Sequence, residues 1–175
     1  MNYKLSSPFF RDKIKDLKAG DRVMLSGTIY TGRDQAHRLM VEALARGESL
    51  PFDLADSAIY YVGPSPSSPG RCIGSCGPTT SYRMDPYTVT LLDHGLSVMI
   101  GKGPRSEDVK DSMMANGAVY LAAVGGCGAL MSKSVVSSEL IAYEHLGTEA
   151  VRKLTVKDMP LIVAIDSRGN DLYSL

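Results

Sequence analysis

From Arg22 to Tyr30, apolar and polar side chains alternate, with Val23, Leu25 and Ile29 on one face, which is the period of a half-buried strand. The period then changes. Thr31-Gly32-Arg33-Asp34 leads into Ala36, Leu39, Met40, Ala43 and Leu44, the stripe of a helix that Thr31 and Asp34 cap as a capping box and Gly47 closes. Ala58 to Val62 reads as a short buried strand ending at Gly63, and Pro64, Pro66, Pro69, Gly70 and the serines between them form an extended loop. A second helix starts at Asp85-Pro86, with Asp85 as N-cap, and stops at Gly95. Leu96 to Ile100 is a strand. A third helix starts after Gly103-Pro104 with Ser106, Glu107 and Asp108 in its first turn, faces inward with Val109 and Met113, and ends at Asn116-Gly117. Ala118 to Val124 and Ser134 to Tyr143 are read as strands, Thr148 as the cap of a short helix, and Leu161 to Ile165 as a buried strand.

The chain has 175 residues, 44% hydrophobic and 22% charged, which fits one globular domain over 1–175 able to bury its own core. Its 17 Gly and nine Pro, with three Phe and no Trp, favour short elements joined by tight turns, and therefore a mixed α/β fold over a helical bundle. Nineteen basic residues against nineteen acidic ones leave no broad footprint for nucleic acid or an anionic membrane, so any anion chemistry is local. The N-terminal MNYKLSSPFF lacks the apolar run of a secretory signal, which makes the cytoplasm the expected location. The uncharged stretch Ser112 to Ser132 is interrupted by Asn116 and by Gly125-Gly126-Cys127-Gly128, so it reads as a buried strand and a glycine loop instead of a membrane span. Cys72 and Cys76 stand as C-x3-C without a third ligand nearby, and they read as buried or incidental thiols before they read as a metal site or redox switch.

The pattern that carries chemistry is a set of basic residues, Arg33, Arg83 and Lys102, standing where the chain turns from a strand towards a helix. Backbone N–H groups at a helix start attract anions and arginine grips a carboxylate through two parallel hydrogen bonds, so converging turns of this kind form a pocket the size of a dicarboxylate. Each cation alone reads more readily as a solvated surface residue, and it is their repetition at equivalent turns that points to a pocket. In Gly77-Pro78-Thr79-Thr80-Ser81-Tyr82-Arg83 hydroxyls lie beside the arginine, where neighbouring cations would favour proton transfer. His37, His94 and His145 read as structural hydrogen-bonding groups, with His37 one helical turn after Arg33. The glycine clusters match neither a dinucleotide fingerprint nor a P-loop.

GRDQAH (Gly32 to His37), GPTTSYRMD (Gly77 to Asp85), the GKG around Lys102 and KDMPLIVAIDSRGND (Lys157 to Asp171) together resemble the β subunit, or C-terminal domain, of class I fumarate hydratases and L(+)-tartrate dehydratases. The resemblance runs from about Gly20 to the C-terminus. It implies a swivelling β/β/α domain, a mixed sheet with flanking helices, that closes over a separate α subunit carrying a four-iron four-sulfur cluster on its own cysteines. It further implies that Arg33 and Arg83 bind substrate carboxylates, that Lys102 adds a positive contact, and that Thr79 exchanges the C3 proton as malate and fumarate interconvert, with Thr80 the residue most easily mistaken for it. On that reading the chain binds no cofactor itself and is inactive without its α partner, which docks on the Gly63 to Gly77 loop and the helix starts. The fumarate reading is taken ahead of the tartrate one, although the pocket residues do not separate the two substrates, since both present two carboxylates at similar spacing. The competing functions are a non-catalytic anion-binding module and a thiol sensor built on Cys72 and Cys76.

Overall fold

The structure, a computed structural model, describes residues 1–123 and 128–174. Four strands, β2 (Arg22–Thr31), β3 (Ala58–Tyr60), β4 (Val98–Gly101) and β5 (Val119–Ala122), run parallel in that order, and β1 (Asn2–Ser6) lies parallel to the first half of β2. Parallel neighbours need long crossovers, and helices provide them: α2 (Asp34–Ala45), α3 (Asp85–Asp93) and α4 (Glu107–Asn116). The remaining strands are β6 (Val135–Ala142) and the long β7 (Val151–Ile165), and two short helices, α1 (Arg11–Ile14) and α5 (Gly128–Ser132), complete the set. β7 is antiparallel to β2 on one side and to β5 on the other, and Ile162 stands opposite both Arg22 and Ala122. The sheet therefore closes on itself through β2-β3-β4-β5-β7, with β6 paired to the first half of β7.

Closure makes two apolar compartments, and the two-residue period of the strands assigns side chains to each. Val23, Leu25, Ile29, Ala58, Tyr60, Val98, Ile100, Val119, Leu121, Leu161 and Val163 share one cluster, which the closed sheet wraps. Ile59, Tyr61, Met99, Tyr120 and Ile165 point the other way and pack against Met40 of α2, Leu91 and Leu92 of α3, and Val109 and Met113 of α4. Burying one such Leu, Ile or Val contributes about 1.5–3 kcal/mol, so both clusters are needed to hold so many short elements.

Three local expectations are corrected. Thr31 does not cap α2: its hydroxyl donates to Ala150 O at 3.2 Å and accepts from Arg152 N at 3.0 Å, and Arg33 occupies the N-cap position without a side-chain bond. Asp85 is the first residue of α3 instead of its cap, because a 3-10 turn over Ser81–Met84 precedes it and its carboxylate is drawn to Arg105. Thr148 lies inside a 3-10 segment, Glu144–Glu149, and does not start it. By contrast, Ser106 caps α4 by accepting from Val109 N at 3.3 Å, and Gly117 ends it in the left-handed region at φ 69°. The uncharged stretch from Ser112 divides into the end of α4, β5 and α5; Val124 to Cys127 of the expected glycine loop lie outside the described residues. Among the described residues no helix is long and apolar enough to cross a membrane.

Candidate functional site

Thr31, Tyr60, Ile100 and Leu121 are aligned by register, so the carboxyl ends of the four parallel strands form one level edge. The carboxyl ends of parallel strands are where α/β folds bind ligands, in open sheets and in closed ones. Arg33 follows β2 over this edge and Lys102 follows β4, each two positions past the aligned row. Between them, Thr79 N–H donates to Tyr61 O at 2.7 Å, Thr80 bridges to Lys102 in parallel fashion, and Ser81 N–H donates to Lys102 O at 2.9 Å. The Thr79–Ser81 segment is thus laced into the ends of β3 and β4, and Arg83 stands on the turn that follows. The structure brings Arg33, Thr79 and Lys102 to one edge, and Arg83 lies two residues past Ser81 in the 3-10 turn Ser81–Met84.

Lys102 is fixed through its backbone, which leaves its ammonium to solvent. Its N–H donates to Ser81 Oγ at 3.0 Å, the Ser81 and Tyr120 hydroxyls meet at 2.7 Å, and Tyr120 O–H donates to Gly103 O at 2.9 Å. Because the one Tyr120 proton goes to Gly103, Ser81 donates to Tyr120, and every group in the chain is satisfied. Burial raises the Tyr120 pKa above its ordinary value, which keeps the phenol protonated for this role. Gly101 is required by the close approach of the same residues: a Cβ there would collide with Ser81 Oγ and lie 2.8 Å from Tyr61 Cδ2.

The four residues differ in their surroundings. Arg83 and Lys102 are exposed, and Thr79 is half-buried. Arg33 packs along Gly63, where a Cβ would sit 3.1 Å from its Cδ and 3.3 Å from its Nη1, and its Nε lies 3.8 Å from both Asp34 Oδ1 and Glu149 Oε1. The expectation of three equivalent helix starts is corrected for Lys102, since Gly103 to Ser106 separate it from α4. What the cations share is the sheet edge.

Two buried groups support this edge. His37 Nδ1 lies 2.8 Å from Arg33 O, so Nδ1 carries the proton and donates to that carbonyl, anchoring the backbone from which Arg33 projects. Complete burial lowers the His37 pKa to about 4, against a rise from its bond to Arg33 O and a further lowering by the charge of Arg105. The ring is neutral when folded and titrates near its ordinary value when unfolded, so folding stability is whole above pH 6.5 and is lost as pH falls towards 4. The loss is of the order of 1–3 kcal/mol. Thermal melts of the chain and of His37→Gln should therefore converge as pH drops from 7 to 4.5; a gap in Tm that stays constant would count against this account.

Arg105 is the residue that sequence reasoning missed. Its side chain is 0% exposed, with Nε 2.7 Å from Asp85 Oδ1 and one Nη within 3.2 Å of the Tyr61 hydroxyl and 3.0 Å of Thr88 Oγ1. Its guanidinium carbon stands 5.2 Å and 4.9 Å from the ring centres of Tyr61 and Tyr120. Burial works against its charge, but Tyr61 and Asp85 more than offset this and its pKa is raised. Asp85 Oδ2 also accepts Ser106 N–H at 2.8 Å, so one ion pair ties the start of α3 to the start of α4 beneath Tyr61 and Tyr120. A lone Arg in GPRSED carries no sequence signal of burial.

Cys76 is buried, and desolvation lifts its thiol to about 11, which makes it a poor thiolate; Cys72 is exposed, with Sγ 3.5 Å from Val135 O. Among the described residues no group of three or more His, Cys, Asp or Glu side chains is arranged to hold a metal ion.

Comparison with known proteins places the chain in a family. The fumarase C-terminus family model matches residues 1–175. Fumarate hydratase 2 of Leishmania major is 40% identical over 166 residues, covering 94% of this chain and 29% of its own length. The aerobic class I fumarate hydratase of Escherichia coli K12 is 42% identical over 154 residues, 87% of this chain and 28% of its own. A Methanocaldococcus jannaschii protein named "Putative L(+)-tartrate dehydratase subunit beta" is 42% identical over 167 residues, 91% of this chain and 85% of its own. The chain thus spans under a third of those fumarate hydratases but most of the archaeal subunit. On the match of its whole length, the chain belongs to the fumarase C-terminus family.

Proposed function

We propose that this chain is the β unit of a class I fumarate hydratase-type hydro-lyase, holding a four-carbon dicarboxylate against a separate α unit while (S)-malate and fumarate interconvert. The observation that carries the reading is the shared sheet edge: Arg33 and Lys102 leave the ends of β2 and β4, the two strands that flank β3, with Thr79 to Ser81 laced to the ends of β3 and β4. Arg33 and Arg83 bind the two carboxylates, and Lys102 adds positive potential. In the dehydration direction Thr79 Oγ1, as the alkoxide that the nearby cations favour, takes the C3 proton while the C2–O bond breaks and the leaving hydroxyl receives a proton from the α unit, so that one water departs; hydration runs these steps in reverse. The group that takes the proton from Thr79 belongs to the α unit. Among the described residues no group of three or more His, Cys, Asp or Glu side chains is arranged to hold a metal ion, and in this reading the four-iron four-sulfur cluster is carried by the α unit. In this reading the domain swivels over that partner in the cytoplasm and is inactive alone.

A second reading, an L(+)-tartrate dehydratase β unit, is supported by the identity to the archaeal relative of that name, 42% over 91% of this chain. Both acids present two carboxylates at similar spacing. The test is anaerobic reconstitution with a candidate α unit, followed by separate assays of malate and L(+)-tartrate dehydration. Thr79→Val should lower kcat at least about a hundredfold with KM within about threefold, as loss of general acid–base transfer does. A Thr79→Val enzyme with unchanged kcat would remove the proton-transfer assignment, and absence of turnover on both acids would remove the reading itself.

A further inference from the structure

The unusual feature of this edge is a set of buried polar atoms without hydrogen bonds around one arginine. Arg33 Nε, Asp34 Oδ1 and Glu149 Oε1 are all buried without a hydrogen bond, and Nε lies at ion-pair distance, 3.8 Å, from each oxygen. Such groups are costly to leave unsatisfied and are a small minority in folded proteins, so three in one place call for a reason. Glu149 is brought there from far along the chain. The Thr31 hydroxyl holds the backbone on either side of Val151, donating to Ala150 O at 3.2 Å and accepting from Arg152 N at 3.0 Å, so the strand that delivers Arg33 also fixes the segment that delivers Glu149. Gly63 supports the stem of Arg33 from another side. The two acids flank only the Nε edge. Among the described residues neither Nη group is hydrogen-bonded within the protein, so the two-nitrogen fork that matches a carboxylate stays open.

We propose that Glu149 is a positioning residue for Arg33: with Asp34 it holds the Nε edge of the guanidinium and aims the open Nη edge at a substrate carboxylate. This rests on the reading above that Arg33 binds substrate. The charge of Glu149 by itself repels a dianion, so the two roles differ in sign. If Glu149 were only a nearby negative charge, removing it would tighten substrate binding. If it orients Arg33, removing it weakens binding.

In the reconstituted enzyme, Glu149→Ala should raise KM for malate about fivefold with kcat within about twofold, the pattern of lost binding shared by ground and transition states. Glu149→Gln, which keeps an acceptor oxygen, should fall between wild type and Glu149→Ala. In an Arg33→Ala background Glu149→Ala should change KM by less than about twofold, since coupled residues are not additive. Independently of turnover, the Arg33 Nε–H resonance of the chain should broaden or exchange faster in Glu149→Ala. An unchanged or lowered KM in Glu149→Ala, or an unaltered Nε–H signal, overturns the positioning role. Arg33→Ala with unchanged KM, or a wild-type complex inactive on both dicarboxylates, overturns the carboxylate reading and this inference with it, which separates the two failures.

Discussion

Arg33→Ala should lower kcat/KM for the dicarboxylate about a hundredfold, which corresponds to about 2.7 kcal/mol of lost transition-state stabilisation. The size follows from its setting. The Arg33 side chain is 26% exposed and lies beside two carboxylates, whereas Arg83 and Lys102 stand in solvent, where screening weakens each contact. Arg83→Ala should accordingly cost about tenfold, or about 1.4 kcal/mol. Arg33→Lys should recover only part of the loss, because an ammonium offers a point charge in place of a planar fork and lacks the Nε that Asp34 and Glu149 flank. Steady-state kinetics of the reconstituted complex decide this ranking. Arg33→Ala within twofold of wild type would remove Arg33 from the site, and equal losses for Arg33 and Arg83 would show that burial does not set their contributions.

The contrast among these cations also marks what the sequence made legible. Arg33, Arg83 and Lys102 stand out from local pattern because each follows a turn that composition announces, Thr79 stands out only through the family resemblance, and β2 and α2 follow from sustained periods of two and of three to four. β1 was missed because, of its five residues, Leu5 alone is buried. β7 was read only from Leu161, yet it begins at Val151; its first half is two-faced, with Arg152, Lys153, Thr155 and Lys157 turned outward, and Pro160 within it argues locally against a strand. Closure of the sheet depends on β7 pairing with both β2 and β5, contacts between distant segments that no local pattern encodes. Glu149 and Arg105 escaped for the same reason. Each is a charged residue in a polar stretch, and only tertiary packing turns the first towards Arg33 and buries the second.

Arg105 is where that buried charge has its largest consequence for stability. Arg105→Met keeps much of the side-chain volume but leaves Asp85, whose side chain is 11% exposed, without its cation, and breaking one partner of such a pair costs about 3–5 kcal/mol. Asp85 would retain only the Ser106 N–H, and the Tyr61 hydroxyl and Thr88 would lose a donor. The damage reaches the site because Tyr61 O receives Thr79 N–H, and Tyr120 holds the Ser81–Lys102 link. Urea denaturation of the chain should show the midpoint falling with little change in slope. Replacing both partners, Arg105→Met with Asp85→Asn, should regain a large share of the loss, because the expense lies in a stranded charge more than in a missing attraction. If Arg105→Met alone cost under about 1 kcal/mol, or the double variant were no better than the single, the ion pair would not be what joins α3 to α4 beneath the sheet edge.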